Sequence, residues 1–339
     1  MQAVEIGYQF GIDSLRLVHR VDQPLAPTQI RLRVRAVSLN YRDLLVVNGV
    51  DRWKPPVGRI PISDGAGDVV EVGAAVTRYR PGDRVAGLFL PCWTAGRLTA
   101  DGLRQAPGGP SFDGFLTEYR VLEQAEVISI PAYLSYEEAA TLPCAALTAW
   151  HGLLEEGQVR AGQTVLVQGT GGISLFSLQF ALLVGAEVIV LSSSDAKLDR
   201  VRQLGAHHVL NYTRTPDWGP RVLDLTKGRG VDHVVEVVGA GNINKSIEAV
   251  TVGGTISLIG LIEGLKGEIQ TNQIMGKHIR LQGIEVGSTE MFQRMSRTLT
   301  AAQLRPVIDR VYDFSEFREA YSSLSTGQHF GKLWRSVLG

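Results

Sequence analysis

The chain has 339 residues, enough for two domains or one large one with ample core, and its 44% apolar and 20% charged content is ordinary for a soluble globular protein. Lys plus Arg equals Asp plus Glu at 34 each, so no basic excess points to nucleic acid or to an anionic membrane surface. Two cysteines, Cys92 and Cys144, make neither a disulfide framework nor a four-cysteine zinc site.

The chain opens β-rich. Its first residues, MQAVEIGYQFGIDSLRLV, lack a basic stretch followed by an apolar core, so no signal peptide is expected and the expected location is cytoplasmic. Val4-Glu5-Ile6 alternates, and Ile30 to Val37 alternates with apolar residues at even positions, which predicts two half-buried strands. Val69 to Gly73 and Arg84 to Gly87 read as further strands. Between them, Pro81-Gly82 is a turn in which proline presets φ and glycine takes positive φ. Phe115 to Val121 is another predicted strand, and the Gly-, Pro- and Ala-rich stretch from Cys92 to Gly114 reads as a functional or mobile loop.

From Ser135 the pattern changes to strands alternating with helices. Ser135 with Glu138 three residues on forms a capping box. Val165 to Val167 reads as a buried parallel strand, followed by the glycine turn Gly169-Thr170-Gly171-Gly172-Ile173-Ser174. Leu175 to Val184 is an apolar helix stopped at Gly185, and Val188 to Leu191 a second strand. A glycine turn inside a complete βαβ unit lets backbone approach a pyrophosphate at a helix N-terminus, which predicts dinucleotide binding. Ser174 stands at the third glycine position and is expected to set the helix slightly farther from its strand. Thr164 to Ala186 carries no charge, but its glycines with Gln168 and Gln179 divide it, so no membrane span is expected. Then come a helix from Asp195 to Leu204, strand Val209-Leu210, strand Val231 to Val238 ending at Gly239, and a helix from Asn244 to Val250. Strand Thr255 to Leu261 carries Gly260, and Ile279 to Val286 is a strand. Glu290 to Gln303 is a helix, Val307 to Tyr312 a strand, Phe314 to Leu324 a helix and Gly331 to Val337 a strand. The alternation predicts an α/β fold with a doubly wound parallel sheet covered on both faces.

Taken together these stretches resemble the medium-chain dehydrogenase/reductase superfamily over nearly the whole chain. Val37-Ser38-Leu39-Asn40-Tyr41-Arg42-Asp43-Leu44 is similar to its first active-site segment, and Pro61 to Gly67 stands where it has a glycine-histidine-glutamate segment. Leu142 to Trp150, which includes Thr148, is similar to the helix beside the nicotinamide, and His329-Phe330-Gly331-Lys332 to the C-terminal return to the cofactor. The resemblance implies a Rossmann cofactor domain at residues 131–287 and a β-rich, GroES-like catalytic domain at 1–130 and 288–339. It implies cofactor contacts from Thr148, Gly169, Thr170, Gly171, Gly172, Ile173, Gly239, Gly260, Phe330, Gly331 and Lys332. In the zinc alcohol dehydrogenases of the superfamily a cysteine, a histidine and a second cysteine hold the catalytic metal; by similarity those places fall on Asn40, Ser63 and Cys144. Zinc takes three protein ligands from thiolate, imidazole or carboxylate plus an open position. One thiol with an amide and a hydroxyl does not supply them, even with Asp64 added. The chain therefore resembles the zinc-independent, quinone oxidoreductase-like branch, no metal is expected, and Cys144 reads as a packed core thiol. Ile279 to Val286 would be the exposed edge of the Rossmann sheet, and its cover is expected to be a second copy, giving a homodimer.

Without zinc, other groups must stabilise charge on the substrate. The candidates are Asn40, which orients substrate or water, Tyr41 as a proton donor, Asp43 as holder of the neighbouring loop, and Asp64 at a turn with Gly65. His151, His207 and His208 read as structural or exposed. In a βαβ dinucleotide fold an acid at the end of the second strand accepts from the ribose of NAD. Here that place holds Ser192-Ser193-Ser194, with Asp195, Lys197 and Arg200 following, and Tyr212 resembles a tyrosine of this pocket in quinone oxidoreductases. Small hydroxyls beside Lys197 favour a 2′-phosphate, hence NADP(H); the alternative is that the serines only cap the next helix and Asp195 reaches the ribose. The predicted function is NADPH-dependent reduction of a small molecule, a quinone, α,β-unsaturated carbonyl or related carbonyl compound, with no nucleic-acid or membrane partner. Zinc-dependent alcohol dehydrogenase and a cofactor-binding protein without turnover are the alternatives.

Overall fold

A computed structural model describes residues 1–104 and 106–336, and the chain divides into two compact units. One runs from Met1 to Leu147 and resumes at Val286; the other is Thr148–Glu285. In chain order the first unit holds β1 (Gln2–Ile6), β2 (Leu15–His19), β3 (Gln29–Ser38), α1 (Tyr41–Val47), β4 (Asp64–Val72), β5 (Arg84–Gly87), β6 (Tyr119–Glu123), β7 (Val127–Ser129) and α2 (Tyr136–Ala140). A π-helical turn, Leu142–Ala146, leads into α3 (Leu147–Trp150), where the second unit begins. That unit holds β8 (Thr164–Gln168), α4 (Gly172–Leu183), β9 (Glu187–Ser192), α5 (Asp195–Gln203), β10 (His208–Asn211), α6 (Trp218–Leu225), β11 (Val231–Glu236), α7 (Ile243–Ala249), β12 (Val250–Leu258), α8 (Thr271–Gly276) and β13 (Arg280–Gly283). The chain returns to the first unit with α9 (Thr289–Ala302), β14 (Ile308–Tyr312), α10 (Phe317–Ser325) and β15 (Lys332–Ser336). Val337, the predicted end of that last strand, lies outside the described residues.

The first unit is built on a sheet ordered β14-β15-β3-β4-β5-β7, with β6 also paired to β3. Alternation in β3 buries Ile30, Leu32, Val34 and Ala36 on one face. Ile30, Leu32 and Val34 share a core cluster with Phe115 and Tyr321, while Ala36 belongs to a second, alanine-rich cluster. The strand expected from Phe115 begins only at Tyr119, because Phe115 and Leu116 turn fully into the core. The short strands β2 and β7 escaped the sequence reading; β2 exposes Arg16, Leu17 and His19 and so lacks clean alternation. The first unit runs on past Ile130 to Leu147. α2 stays with the first unit because Ala139 and Ala140 pack on Ala36, Ala66 and Ala86, small residues that admit close approach.

The second unit is a parallel sheet ordered β10-β9-β8-β11-β12-β13, with all five pairings parallel. Counted from β8, the strand order reverses there, which is the dinucleotide-binding topology. β8 is buried along its whole length, as its apolar run requires. Val250, expected at a helix end, opens β12 instead. β13 is shorter than Ile279 to Val286, and Val286 adopts φ 39, outside extended backbone. Two short helices, α6 and α8, were not anticipated. Among the described residues no helix is long and apolar enough to cross a membrane.

His233 lies inside β11, 1% exposed, with Nε2 3.1 Å from Ser257 Oγ. Ser257 Oγ donates to Gly152 O, so the imidazole donates from Nε2 and its Nδ1 has no partner among the described residues. Burial pushes its pKa down from 6.5 to about 4. Between those values the unfolded chain takes up a proton that the folded ring refuses, so stability falls as pH drops through this window, by about 3 kcal/mol in full. A pH titration of the imidazole NMR signals, with His233 assigned by its loss in His233→Gln, should show this ring neutral at pH of about 5; a midpoint near an ordinary histidine would contradict the buried placement.

Candidate active site

In the first unit, the segment that joins β3 to α1 and the start of β4 build one buried polar cluster. Asn40 caps α1 with extended backbone. Asp43, fully buried, accepts from Asn40 N at 2.8 Å and from Ser63 N at 3.2 Å. Its carboxylate therefore ties the α1 N-terminus to the segment before β4. Arg42 supports it: its Nη1 lies 3.3 Å from Asp43 Oδ1 and donates to Pro107 O, with the guanidinium 5.1 Å from the Phe89 ring centre. Ile62, just before Ser63, takes φ 73. A β-branched residue is strained in this left-handed region by about 1–3 kcal/mol, and such strain gathers at functional sites. Burial raises the Asp43 carboxyl, against Arg42 and the two backbone donors.

The Asn40 side chain joins two opposite charges. Its Nδ2 donates to Asp64 Oδ2 at 2.9 Å and reaches Ser63 Oγ at 3.4 Å. Its Oδ1 accepts from the Lys332 ammonium, which also donates to Leu39 O at 2.7 Å. Lys332 is 3% exposed, and burial lowers its pKa while Asp64 opposes. Asp64 is fully buried; burial pushes its carboxyl up to about 7, with Lys332 and Asn40 pulling the other way. Asp64 Oδ1 has no hydrogen-bond partner among the described residues. Cys144 lies in the buried π turn, and burial raises its thiol well above the ordinary range.

Asn40, Asp43 and Asp64 come together with Ser63. Tyr41 is 41% exposed and its hydroxyl has no hydrogen bond among the described residues. Lys332, placed by resemblance with the cofactor, stands in the Asn40 cluster. Phe330 and Gly331 are buried just before β15, with Gly331 at φ 87.

In the second unit the glycine turn follows β8. Gly169 takes φ 72 and donates to Leu191 O at 2.7 Å. The N-cap of α4 is Gly171, so no side chain occupies the N–H groups of the first turn at Gly172 and Ile173. Ser174 fits the third glycine position because its hydroxyl donates to Gln168 O at 2.7 Å, buried against the strand. Gln168 Oε1 is buried without a partner among the described residues. Glu236, at the end of β11, is fully buried and saturated. Its Oε1 accepts from Val238 N and Gly239 N at 2.9 and 3.0 Å, and its Oε2 from Gln168 Nε2 at 2.8 Å and from Ser246 Oγ. These bonds turn the chain, which is why β11 ends before Val238. Gly260 admits no side chain, since a Cβ there would lie 1.5 Å from Val237 O. Thr148 is buried at the start of this unit.

At the end of β9, Ser192 Oγ accepts from Ser194 N, and Ser194 Oγ accepts from Lys197 N as the N-cap of α5. Ser194 is therefore a helix cap, while Ser192 and Ser193 precede it. Asp195 is held by Asn211 Nδ2 at 2.8 Å and by the Arg214 guanidinium. Tyr212, 41% exposed, follows β10 and donates through its backbone to Ser192 O. Arg214 was missed from sequence, where nothing marked it as Asp195's partner. Glu236 was missed too, although a carboxylate inside an apolar strand was a usable signal.

Comparison with known proteins places this geometry. Residues 26–132 match the family described as alcohol dehydrogenase GroES-like domain, and residues 172–301 that described as zinc-binding dehydrogenase. A zinc-type alcohol dehydrogenase-like protein of Schizosaccharomyces pombe is 40% identical over 330 residues, 95% of each chain. A quinone oxidoreductase of Pongo abelii is 26% identical, covering 96% of this chain and 94% of that one. A solved structure titled an NAD-dependent alcohol dehydrogenase superposes with a TM-score of 0.90 at 32% identity over all of both chains. The chain thus pairs a GroES-like unit with a Rossmann unit, and it belongs to the medium-chain dehydrogenase/reductase superfamily of nicotinamide-dependent oxidoreductases.

Proposed function

We propose that the chain is an NADPH-dependent oxidoreductase that reduces a quinone, an α,β-unsaturated carbonyl or a related small carbonyl compound without zinc. The observation that carries this reading is the chemistry of the donor set at the family's metal place. Asn40 offers an amide and Ser63 a hydroxyl, and Cys144 is the one thiol of the three. The Lys332 ammonium already bonds to Asn40 Oδ1. A dication binds through deprotonated or neutral ligands and is repelled by an adjacent ammonium, so the residues do not fit zinc. No step of the reaction passes through a metal here.

The second unit fits a dinucleotide. The side-chain-free first turn of α4 and the unpartnered Gln168 Oε1 are a donor edge and an acceptor beside the glycine turn. When bound, the reduced nicotinamide supplies the hydride. Gly169, Thr170, Gly171, Gly172 and Ile173 would take the pyrophosphate, with Thr148, Gly239 and Gly260 at the rest of the cofactor. Ser192, Ser193, Lys197 and Tyr212 would take the adenosine end. Asp195 is engaged by Arg214 and Asn211, which removes the acid best placed to repel a 2′-phosphate. Asn40 orients the substrate oxygen, Asp43 keeps Asn40 and Ser63 in register, and Tyr41 remains a candidate proton donor. We take the enzyme to be cytoplasmic, in keeping with two cysteines that are not joined in a disulfide. We also take it to be a homodimer covered along β13, the outer strand of the Rossmann sheet; light scattering of monomer mass alone would exclude the dimer.

Two outcomes test this reading. The kcat/KM for NADPH should exceed that for NADH by about tenfold or more, and Ser192→Asp should reverse the order by repulsion; equal values in the unmodified protein would remove the phosphate-reading role. Elemental analysis should find well under one zinc per chain, with activity intact in chelator. Stoichiometric tight zinc would sink the metal-free mechanism.

A further inference from the structure

Lys332 presents a burial that packing alone does not explain. It opens β15, whose antiparallel register against β3 pairs Trp334 with Ser38, and Leu39 N donates to Leu333 O. That register carries Lys332 to Leu39 and Asn40, the residues that accept from its ammonium. An apolar side chain would fill the position without the loss of hydration that an ammonium suffers, and a buried ion pair is a poor source of stability. The Asp64 and Asp43 carboxyls oppose the fall that burial imposes on the Lys332 pKa. Asn40 and Leu39 use two of its three protons. Asp64 Oδ1, fully buried, is without a partner among the described residues. The cluster therefore keeps a spare cationic donor and a spare acceptor at the place where the metal-dependent relatives bind zinc.

We propose that the Lys332 ammonium is the fixed cation of the substrate site, standing in the metal's place, with Asn40 holding it and Asp64 balancing its charge. The proposal rests on the zinc-independent oxidoreductase reading above. During reduction the hydride brings two electrons to the substrate carbon. The π pair of the C=O bond, or of the C=C bond conjugated to it, moves toward oxygen. The negative oxygen accepts a hydrogen bond from the ammonium, and the proton that completes the two-electron reduction comes from water, directly or through the Tyr41 hydroxyl, while the nicotinamide is oxidised. Lys332 stays charged throughout and supplies preorganised electrostatic stabilisation rather than a proton.

Two sets of variants decide it. Lys332→Met should lower kcat about 100-fold, the scale of losing one oxyanion donor, and Lys332→Arg should restore about a tenth of it or more. The dissociation constant for NADPH should stay within about twofold, because the charge acts in the transition state. A loss of NADPH affinity that accounts for the whole defect, or an unchanged kcat, would overturn the role. The second set needs no turnover and survives failure of the first to fold. In Asn40→Cys/Ser63→His, which restores the family's ligand types, cobalt(II) followed by its thiolate absorption should bind weakly. Adding Lys332→Met should tighten it about 100-fold by removing the competing charge. Equal cobalt affinity with and without the lysine would show that the ammonium does not hold the metal's place. Absence of turnover in the unmodified protein on every carbonyl acceptor would end the oxidoreductase reading, and the cobalt titration would still decide the position of the cation.

Discussion

The amide of Asn40 is the constraint on which the candidate site depends. Its oxygen faces the Lys332 ammonium and its nitrogen faces the Asp64 carboxylate. A flipped amide would set donor against donor and acceptor against acceptor, so the two charges hold the side chain in one orientation. Asp43 fixes the same residue through its backbone and extends the hold to Ser63. Remove any one member and a charged group is left buried without compensation, which is why the cluster acts as a unit. The strained Ile62 backbone shows that the fold gives up local comfort to seat Ser63 and Asp64 there.

The cofactor unit solves a different problem with the same economy of groups. A dinucleotide site needs backbone exposed at strand ends, yet those ends must not wander. Glu236 answers this by taking two backbone N–H groups and the side chains of Gln168, Ser246 and Asn242 at the carboxyl edge of the sheet. Ser174 answers it on the other side of β8, where its hydroxyl replaces the contact that a third glycine would give. The serine thus holds the helix to its strand by a hydrogen bond, rather than standing it off.

What was legible in the sequence was whatever is local. Buried strands such as β8, the glycine turn, the alternation of β3 and the capping box at Ser135 each declare themselves within a few residues. The packing of α2 on the first unit did not, because it depends on small alanines meeting from distant segments. Lys332 was legible as a residue of interest but not as Asn40's partner, since 292 positions separate them and only the β15–β3 register joins them. Arg214 was hidden for the same reason: its meaning lies in Asp195, brought near by the parallel pairing of β10 with β9.

The central claim is that hydride reaches a carbonyl-conjugated substrate in this fold with an ammonium where relatives use a metal. The most direct measurement is isotope transfer. Protein freed of metal would be incubated with NADPH carrying deuterium at both positions of nicotinamide C4 and with a panel of α,β-unsaturated ketones, and the products read by mass spectrometry and NMR. The account predicts one carbon-bound deuterium per reduced molecule, with no dependence on added zinc. Reduction that appears only after zinc is supplied, or product without carbon-bound label, would contradict it.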